Sequence, residues 1–209
     1  MRRAQEALPA GGSVLDVGCG GGTAALALVP PAGRLVGVDP SPELLAAFAS
    51  AAEAVGVAHQ EVLGAWPQAA AHVLPADLVI CHHVVYNVPD LAAFASALAG
   101  RTRGRVVLEL TDRHALAWTN RMWQHFHGLD RPTGPTADLA AAVLAEAGIA
   151  ATLELFTRPA RPVPRDVLVA VTRRRLCLPA GRDAEVDKAL SSEPPPSARS
   201  LACLWWDRQ

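Results

Sequence analysis

The sequence is poor in lysine and in long apolar runs, and each shortage excludes a class of protein. Lys188 is the only lysine and the formal net charge is −1 at pH 7, so no broad positive surface is available to hold a nucleic-acid backbone. No apolar run is long enough for a signal peptide or a membrane span. We therefore expect no nucleic-acid partner and no membrane partner.

Cysteine is also scarce, and its spacing excludes the common metal and disulfide frameworks. The four cysteines, Cys19, Cys81, Cys177 and Cys203, are far apart and form no C-x-x-C pair. Reduced thiols in a cytoplasmic protein are the simplest interpretation. We expect a cytoplasmic location and no metal site.

What the chain does contain is a regular alternation of two patterns. Short β-branched runs alternate with alanine- and leucine-rich stretches of helical period, which is typical of a parallel sheet covered by helices. Strands are predicted at about 13–17, 34–38, 57–62, 77–81, 105–110, 150–156 and 198–206. Helices are predicted at about 22–29, 42–54, 89–99, 114–126, 136–147, 164–176 and 183–191. The pattern predicts a Rossmann-like, doubly wound α/β fold with about seven mostly parallel strands and helices on both faces.

The length favours one folding unit. With 209 residues, about half of them apolar, the chain can bury one substantial core. We predict a single domain over residues 1–209, with its core at about 13–156. A helical insertion at about 157–197 is predicted to precede the last strand at about 198–206.

A glycine-rich turn follows the first strand in VLDVGCGGG, residues 14–22. A register that starts at Gly20 fits the G-x-G-x-x-A form of a dinucleotide site, but the register that starts at Gly18, where the strand ends, does not. Asp16 stands two residues before the first glycine. A carboxylate there repels a pyrophosphate, whereas it can help to hold a cationic amino-acid group. Asp16 therefore favours a ligand with a cationic amino-acid group over a dinucleotide.

A second carboxylate, Asp39, ends the second strand 23 residues after Asp16. At that position a carboxylate lies beside the crevice at the carboxyl edge of the sheet and can accept hydrogen bonds from both hydroxyls of a ribose. Dehydrogenases use the same device, so Asp39 indicates an adenosine ribose without identifying the cofactor. A purely structural role, as an acid before the helix cap Ser41, is the alternative.

VLDVGCGGG followed by VGVDPS resembles the first two motifs of the class I S-adenosylmethionine-dependent methyltransferases, and the order of elements over residues 13–156 is similar to that family's core. The resemblance implies S-adenosyl-L-methionine as cofactor and transfer of its methyl group to a small-molecule substrate by in-line displacement. The cofactor-binding residues that it implies are Asp16, Gly18, Cys19, Gly20, Asp39, Pro40, Gly64, Ala65, Trp66, Cys81 and His82.

The segment ICHHVVYNVPD, residues 80–90, opens toward the acceptor in that family. It lacks the N/D-P-P-Y/F signature, which disfavours methylation of bases or glutamine and leaves oxygen, carbon or nitrogen of a metabolite. The aromatic segment 111–135 follows the fifth strand and is suited to line a pocket for a planar acceptor. The predicted substrate pocket comprises Tyr86, Asn87, Trp118, Trp123 and Phe126. Packing of these aromatic side chains on the sheet is the alternative.

An acceptor hydroxyl must lose its proton, and a histidine can take it. The candidates for catalysis are His83, His125 and His127. No acidic residue accompanies the last two at a convincing metal-ligand spacing, so no metal is predicted. Ordinary surface or pocket histidines are the alternative interpretation. Glu109, close to the end of the fifth strand, has a role that the sequence leaves open.

Two other functions stay open at this stage: an NAD(P)-dependent oxidoreductase and a non-catalytic adenosyl-binding protein. A homodimer is also left open. Twelve residues precede the first predicted strand, and proteins of the resembling family commonly use a preceding helical segment to cover the cofactor. On that ground we expect modest cofactor affinity.

Overall fold

The computed structural model describes residues 1–208, except for the side chain of Asn87. The strands are β1 (Ser13–Val17), β2 (Arg34–Asp39), β3 (Ala58–Leu63), β4 (Ala76–His82), β5 (Thr102–Thr111), β6 (Thr152–Pro159) and β7 (Ala198–Asp207). The helices are α1 (Arg2–Ala7), α2 (Thr23–Leu26), α3 (Pro42–Ala54), α4 (Leu91–Ala99), α5 (Asn120–His127), α6 (Ala137–Glu146), α7 (Arg165–Arg175) and α8 (Asp183–Ser192).

The seven strands form one sheet in the order β3-β2-β1-β4-β5-β7-β6. Strand β1 pairs in parallel with β2 and β4, β2 pairs in parallel with β3, and β4 pairs in parallel with β5. The carboxyl ends of these five strands therefore meet at one edge of the sheet. The last strand, β7, inserts between β5 and β6. The predicted Rossmann-like α/β fold is confirmed.

Helices cover both faces of this sheet. Leu15 of β1 belongs to one buried cluster with Phe94 of α4 and Leu144 of α6. Successive side chains of a strand point to opposite faces of the sheet. Asp16 of β1 and its register partner Gly37 of β2 therefore lie on the opposite face from Leu15. There, a Cβ added to Gly37 of β2 would come within 3.0 Å of the ring of Phe48 in α3.

Most helix ends lie within two residues of the prediction, and three helices differ from it by more. Helix α2 ends at Leu26, short of the predicted 22–29, because the next N–H groups bond three residues back and form turns rather than a continued α-helix. Helix α5 begins at Asn120, after a short 3-10 turn, and not near residue 114. Helix α1 has no counterpart in the prediction.

The described chain divides into two compact units. The first comprises residues 1–110, 137–155 and 202–208 and contains the main buried cluster. The second comprises residues 111–136 and 156–201. Its own cluster consists of Met122, Val169, Leu176, Leu178, Val186 and Leu190. The single domain over residues 1–209 stays a prediction. Within residues 1–208, no helix is both long enough and apolar enough to cross a membrane.

Candidate functional site

The turn after β1 consists of glycines in conformations that other residues avoid. Gly18, Gly20 and Gly22 have φ of 72°, 51° and 82°, in the left-handed region that glycine adopts without steric cost. The N–H of Gly18 donates to the carbonyl of Val38 at 2.8 Å, which ties the turn to the end of β2. A Cβ on Gly20 would meet no atom within 4 Å. The backbone at Gly20 is therefore open to close approach by a ligand.

Asp16 is a buried carboxylate beside this turn. It is 1% exposed, and among the described residues no hydrogen-bond donor reaches its Oδ2 atom. Burial raises the pKa of Asp16 to about 7; a hydrogen bond from the backbone of Ala25 opposes this rise, and the charge of Asp39 adds to it. An orphaned oxygen on a buried acid is costly in a folded protein, and a cationic donor would satisfy it.

Asp39 connects the glycine turn with the start of α3. Its Oδ2 accepts a hydrogen bond from the N–H of Gly20 at 3.0 Å, and its Oδ1 accepts one from the N–H of Ser41 at 2.9 Å. The bond to Ser41 is the structural role considered from the sequence. A carboxylate can accept about four hydrogen bonds in total, so both oxygens retain capacity for a ligand. The following Pro40 is exposed.

The loop after β3 lies next to Asp39. The N–H of Gly64 donates to the carbonyl of Asp39 at 3.1 Å, and Ala65 is exposed. Trp66 is half-buried and packs against the main cluster, and its indole N–H donates to the carbonyl of Phe94 at 3.2 Å. Contact between Trp66 and an adenine stays a prediction, because the ring is also part of the packing of the fold.

Cys19, Cys81 and His82, which were predicted to contact the cofactor, occupy different environments at the carboxyl edge of the sheet. Cys81 is 1% exposed and belongs to the main cluster, and burial raises the pKa of its thiol. Its side chain is directed into the core, so any contact with a cofactor would come from its backbone. Cys19 is buried with its sulfur facing Gly37. His82, the last residue of β4, is half-buried.

The residues after β4 form a cluster with the end of β5. His83 has φ of 60°, which is uncommon for a residue with a side chain, and its N–H donates to the carbonyl of Glu109 at 2.7 Å. His83 Nδ1 lies 3.0 Å from the hydroxyl of Tyr86, and His83 Nε2 lies 3.7 Å from Glu109 Oε1. Glu109 is buried. Sequence reasoning left Glu109 open, although its place at the end of a central strand was a signal for a site residue.

The other predicted site residues belong to the second unit. His127 Nε2 lies 2.7 Å from the carbonyl of Leu176, and its ring centroid lies 4.8 Å from that of Trp123. His125 is exposed and lines a groove of about 390 Å³ with Glu185. The aromatic side chains Trp118, Trp123 and Phe126 pack against the buried cluster of this unit. Their contact with a substrate stays a prediction, as does catalysis by His125 and His127. The side chain of Asn87 lies outside the described part of the chain.

Comparison with known proteins gives the family. Residues 1–140 match a family described as "Methyltransferase domain". The chain belongs to this methyltransferase family. The predicted family is thereby confirmed, and the match includes the glycine turn, Asp16, Asp39 and the cluster around His83. Among residues 1–208, no group of three or more His, Cys, Asp or Glu side chains is arranged to hold a metal ion.

Individual known proteins resemble this chain over part or nearly all of its length. The ubiquinone biosynthesis O-methyltransferase of Sodalis glossinidius (strain morsitans) is 34% identical over 113 residues, which are 52% of this chain and 45% of that protein. The structure of the YcgJ protein from Bacillus subtilis has a TM-score of 0.62 at 19% identity and covers 98% of this chain and 94% of that one. A SAM-dependent methyltransferase from Thiobacillus denitrificans, in complex with S-adenosyl-L-homocysteine, has a TM-score of 0.59 at 19% identity and covers 98% and 88%. The chain spans about half the length of the curated relatives it matches.

Proposed function

We propose that this protein is an S-adenosyl-L-methionine-dependent methyltransferase that acts on a small-molecule substrate. The observation that carries the proposal is the buried Asp16 carboxylate beside the glycine turn, with one oxygen that no described donor reaches. S-adenosylmethionine carries an amino-acid ammonium group, which is a cationic donor of the kind that such an oxygen needs. A pyrophosphate would bring negative charge to the same position.

The other residues of the edge fit the remaining parts of the cofactor. Asp39 has acceptor capacity left for the two ribose hydroxyls, and the backbone at Gly20 leaves open space for a close approach. The N–H of Gly64 bonds to the carbonyl of Asp39, so Gly64 and Ala65 are the residues that would hold the base attached to that ribose. When bound, the sulfonium supplies an activated methyl group for in-line displacement. The protein then contributes position, orientation and exclusion of water.

The acceptor that we propose is an oxygen of a small molecule. Two relatives with 34% identity are named ubiquinone biosynthesis O-methyltransferases, which supports oxygen as the methylated atom. The cluster of His83, Tyr86 and Glu109 supports it as well, because a hydroxyl acceptor has a proton to lose and these side chains can take one. We include Tyr86 and Asn87 among the residues of the acceptor pocket.

The proposal extends to the setting of the enzyme. We propose a cytoplasmic location, since all four cysteines are free thiols and three of them are buried. We propose a single catalytic domain over residues 1–209, with no nucleic-acid or membrane partner. A homodimer is compatible with this proposal, and the mass of the protein in solution decides it.

Ligand-dependent stability tests the proposal. Differential scanning fluorimetry is run with S-adenosylhomocysteine, NAD⁺ and NADP⁺ at equal concentration. We expect S-adenosylhomocysteine alone to raise the Tm, since a ligand at 100 times its Kd adds about 2.7 kcal/mol to the free energy of unfolding. A rise with NAD⁺ or NADP⁺ alone would indicate an oxidoreductase and contradict the proposal.

Turnover separates an enzyme from a binding protein. Release of S-adenosylhomocysteine is measured with S-adenosylmethionine and a panel of phenols, aliphatic alcohols and amines. We expect release with hydroxyl acceptors. Binding of the cofactor product without turnover on any acceptor of the panel would favour the non-catalytic adenosyl-binding protein.

A further inference from the structure

We propose that Glu109, His83 and Tyr86 form a proton relay that removes the proton of a hydroxyl acceptor, with Tyr86 as the residue that touches the acceptor. The inference rests on the proposed methyltransferase function and states how the proton of the proposed hydroxyl acceptor is removed. In this relay Tyr86 is a catalytic residue, His83 takes the proton from it, and Glu109 is a positioning residue.

The first contact of the relay joins Tyr86 and His83. The Tyr86 hydroxyl lies 3.0 Å from His83 Nδ1, within hydrogen-bond distance. The two rings are nearly parallel, with an interplanar angle of 14° and centroids 6.3 Å apart. The phenolic oxygen is therefore directed at a ring nitrogen of His83.

The second contact joins His83 and Glu109. His83 Nε2 lies 3.7 Å from Glu109 Oε1, and the His83 N–H donates to the Glu109 carbonyl at 2.7 Å. The Glu109 side chain is only 4% exposed, whereas that of His83 is 45% exposed. A buried carboxylate thus stands behind an accessible imidazole. The imidazole is the most exposed of the three groups, because Tyr86 is half-buried and packs against the main cluster.

The backbone of His83 is held in a conformation that favours this orientation. Its φ of 60° lies in the left-handed region, where a side chain is disfavoured. Strand register places His82 directly opposite Glu109, so the chain must turn sharply at the next residue for the imidazole to face the same carboxylate. Backbone strain of this kind persists where surrounding contacts enforce it, and it clusters at functional sites.

The relay requires one particular tautomer of the His83 ring. In it Nε2 carries the proton, 3.7 Å from Glu109 Oε1, and Nδ1 accepts the hydrogen bond from the Tyr86 hydroxyl. In the reaction the acceptor O–H bond breaks and its proton passes to Tyr86 Oη, while the phenolic proton passes to His83 Nδ1. The resulting imidazolium is stabilised by the Glu109 carboxylate and returns the proton to solvent through its exposed side.

The bonds of the transfer step balance with this proton movement. The acceptor oxygen forms a C–O bond to the methyl carbon as the C–S bond breaks, and the electron pair of that bond stays on sulfur. The products are the methylated oxygen compound, S-adenosylhomocysteine and one proton. A neutral amine can attack without first losing a proton, so the relay accelerates attack by a hydroxyl acceptor and not by a neutral amine.

The relay lies next to the glycine turn. Val84 follows His83 in the chain, and a Cβ added to Gly18 would lie 2.3 Å from Val84 Cγ2. The segment that contains the relay is therefore in contact with the turn that we assign to the cofactor. Two further ionisable groups lie near Glu109: the Met1 amino group is 3.9 Å from its Oε2, and burial raises the pKa of the Cys203 thiol, with a smaller contribution from the charge of Glu109.

The test uses Tyr86→Phe, Glu109→Gln and Glu109→Asp in the full chain. Loss of a general acid-base contribution typically lowers a rate by 10²–10⁴-fold. We expect Tyr86→Phe to lower kcat with a hydroxyl acceptor by about 100-fold or more, with affinity for S-adenosylhomocysteine changed by less than about twofold. We expect Glu109→Gln to move the acid limb of the kcat/KM profile to lower pH, because the imidazole loses its carboxylate neighbour, and Glu109→Asp to restore part of the rate.

A matched control comes from a second histidine–glutamate pair. His59 Nδ1 lies 2.6 Å from Glu61 Oε1 on β3, a pair to which we assign no role in the reaction. Glu61→Gln is expected to leave the rate and the pH profile unchanged. If Tyr86→Phe also kept the full rate on hydroxyl acceptors, the relay would be overturned. The proposed methyltransferase function would not be contradicted by that result.

A measurement that does not depend on enzymatic turnover tests the two contacts of the relay directly. The ¹⁵N shifts of the His83 ring nitrogens are measured by NMR in the protein without ligands. We expect an accepting Nδ1 whose shift changes in Tyr86→Phe, and a ring whose tautomer balance changes in Glu109→Gln. Unchanged His83 shifts in both variants would overturn the relay. Failure of the wild-type protein to bind S-adenosylhomocysteine would instead contradict the proposed function itself.

Discussion

Val84 occupies the space that a side chain on Gly18 would need: an added Cβ would lie 2.3 Å from Val84 Cγ2. The end of β1 and the segment after β4 thus pack together only because residue 18 is glycine. This contact joins the two halves of the proposed site, since Gly18 begins the cofactor turn and Val84 follows His83.

Gly18→Ala is predicted to destabilise the protein at the contact between the glycine turn and the segment after β4. Overpacking against Val84 and a side chain at φ of 72° are expected to lower the free energy of unfolding by about 2–4 kcal/mol. Adding Val84→Ala removes the atom that clashes, so the double variant should recover at least about 1 kcal/mol relative to additivity. Urea denaturation of the wild type, both single variants and the double variant measures this. Strictly additive effects would show that the contact is not formed.

Asp16→Asn is predicted to change stability and binding in opposite directions. In the wild type the pKa of Asp16 is raised from 3.8 to about 7, so the folded state holds its proton more tightly than the unfolded state. Stability therefore falls as pH rises from about 4 to 7, by up to roughly 4 kcal/mol. The variant does not titrate and should lack this fall, so its Tm relative to wild type should be higher at pH 8 than at pH 4.

Binding by the same variant supplies the second half of that prediction. We expect Asp16→Asn to weaken S-adenosylhomocysteine by at least about tenfold at pH 8, because a charge-assisted hydrogen bond contributes about 1.5–3 kcal/mol. In the wild type, calorimetry should show proton release on binding near pH 6, where a cationic ligand drives the carboxyl of Asp16 to ionise. Unchanged affinity in the variant would remove Asp16 from the cofactor site.

Gly20→Ala is predicted to impair binding more than folding. Gly20 has φ of 51° and open space where a Cβ would stand, so the change costs about 1 kcal/mol of backbone strain and no clash within the protein. Gly56 is a matched control, because it has φ of 70° and equally open space after helix α3. Both variants should lose similar stability in chemical denaturation. Only Gly20→Ala should weaken S-adenosylhomocysteine, by about tenfold or more; equal affinities would argue against ligand approach at this turn.

Asp39→Asn is predicted to reduce cofactor affinity by about 10–100-fold, because one charged acceptor for the ribose hydroxyls becomes neutral. Asp77 is the control: its carboxylate accepts from the N–H and hydroxyl of Ser13, both at 2.8 Å, at the other end of β1. Arg103 and Ser13 hold the pKa of Asp77 at about 2, so its stabilisation is present above about pH 4 and is lost as pH falls toward 2. Asp77→Asn should lower stability at neutral pH and leave affinity unchanged. Calorimetric titration of both variants checks the difference.

Much of the fold follows from patterns that are local in the chain. Helix α3 was predicted over 42–54, the bounds that the structure has, because Ser41 and Pro42 mark its start and its apolar period is regular. Where local signals are weak, the prediction failed at boundaries: the segment before Asn120 forms a short 3-10 turn, and its aromatic residues alone do not distinguish that turn from a helix.

By itself the sequence determined the strands of the sheet, the glycine turn and the positions of Asp16 and Asp39. Each of these depends on where a strand ends, and the alternation of apolar residues together with the turn residues marks those ends in the sequence. Only the tertiary structure decided what those carboxylates contact. It also brought Glu109 to His83, which stands 26 residues earlier, because β4 and β5 pair in parallel and align their carboxyl ends. Likewise it assigned His125 and His127 to a separate compact unit. Such relationships arise from packing between distant segments, which no local pattern encodes.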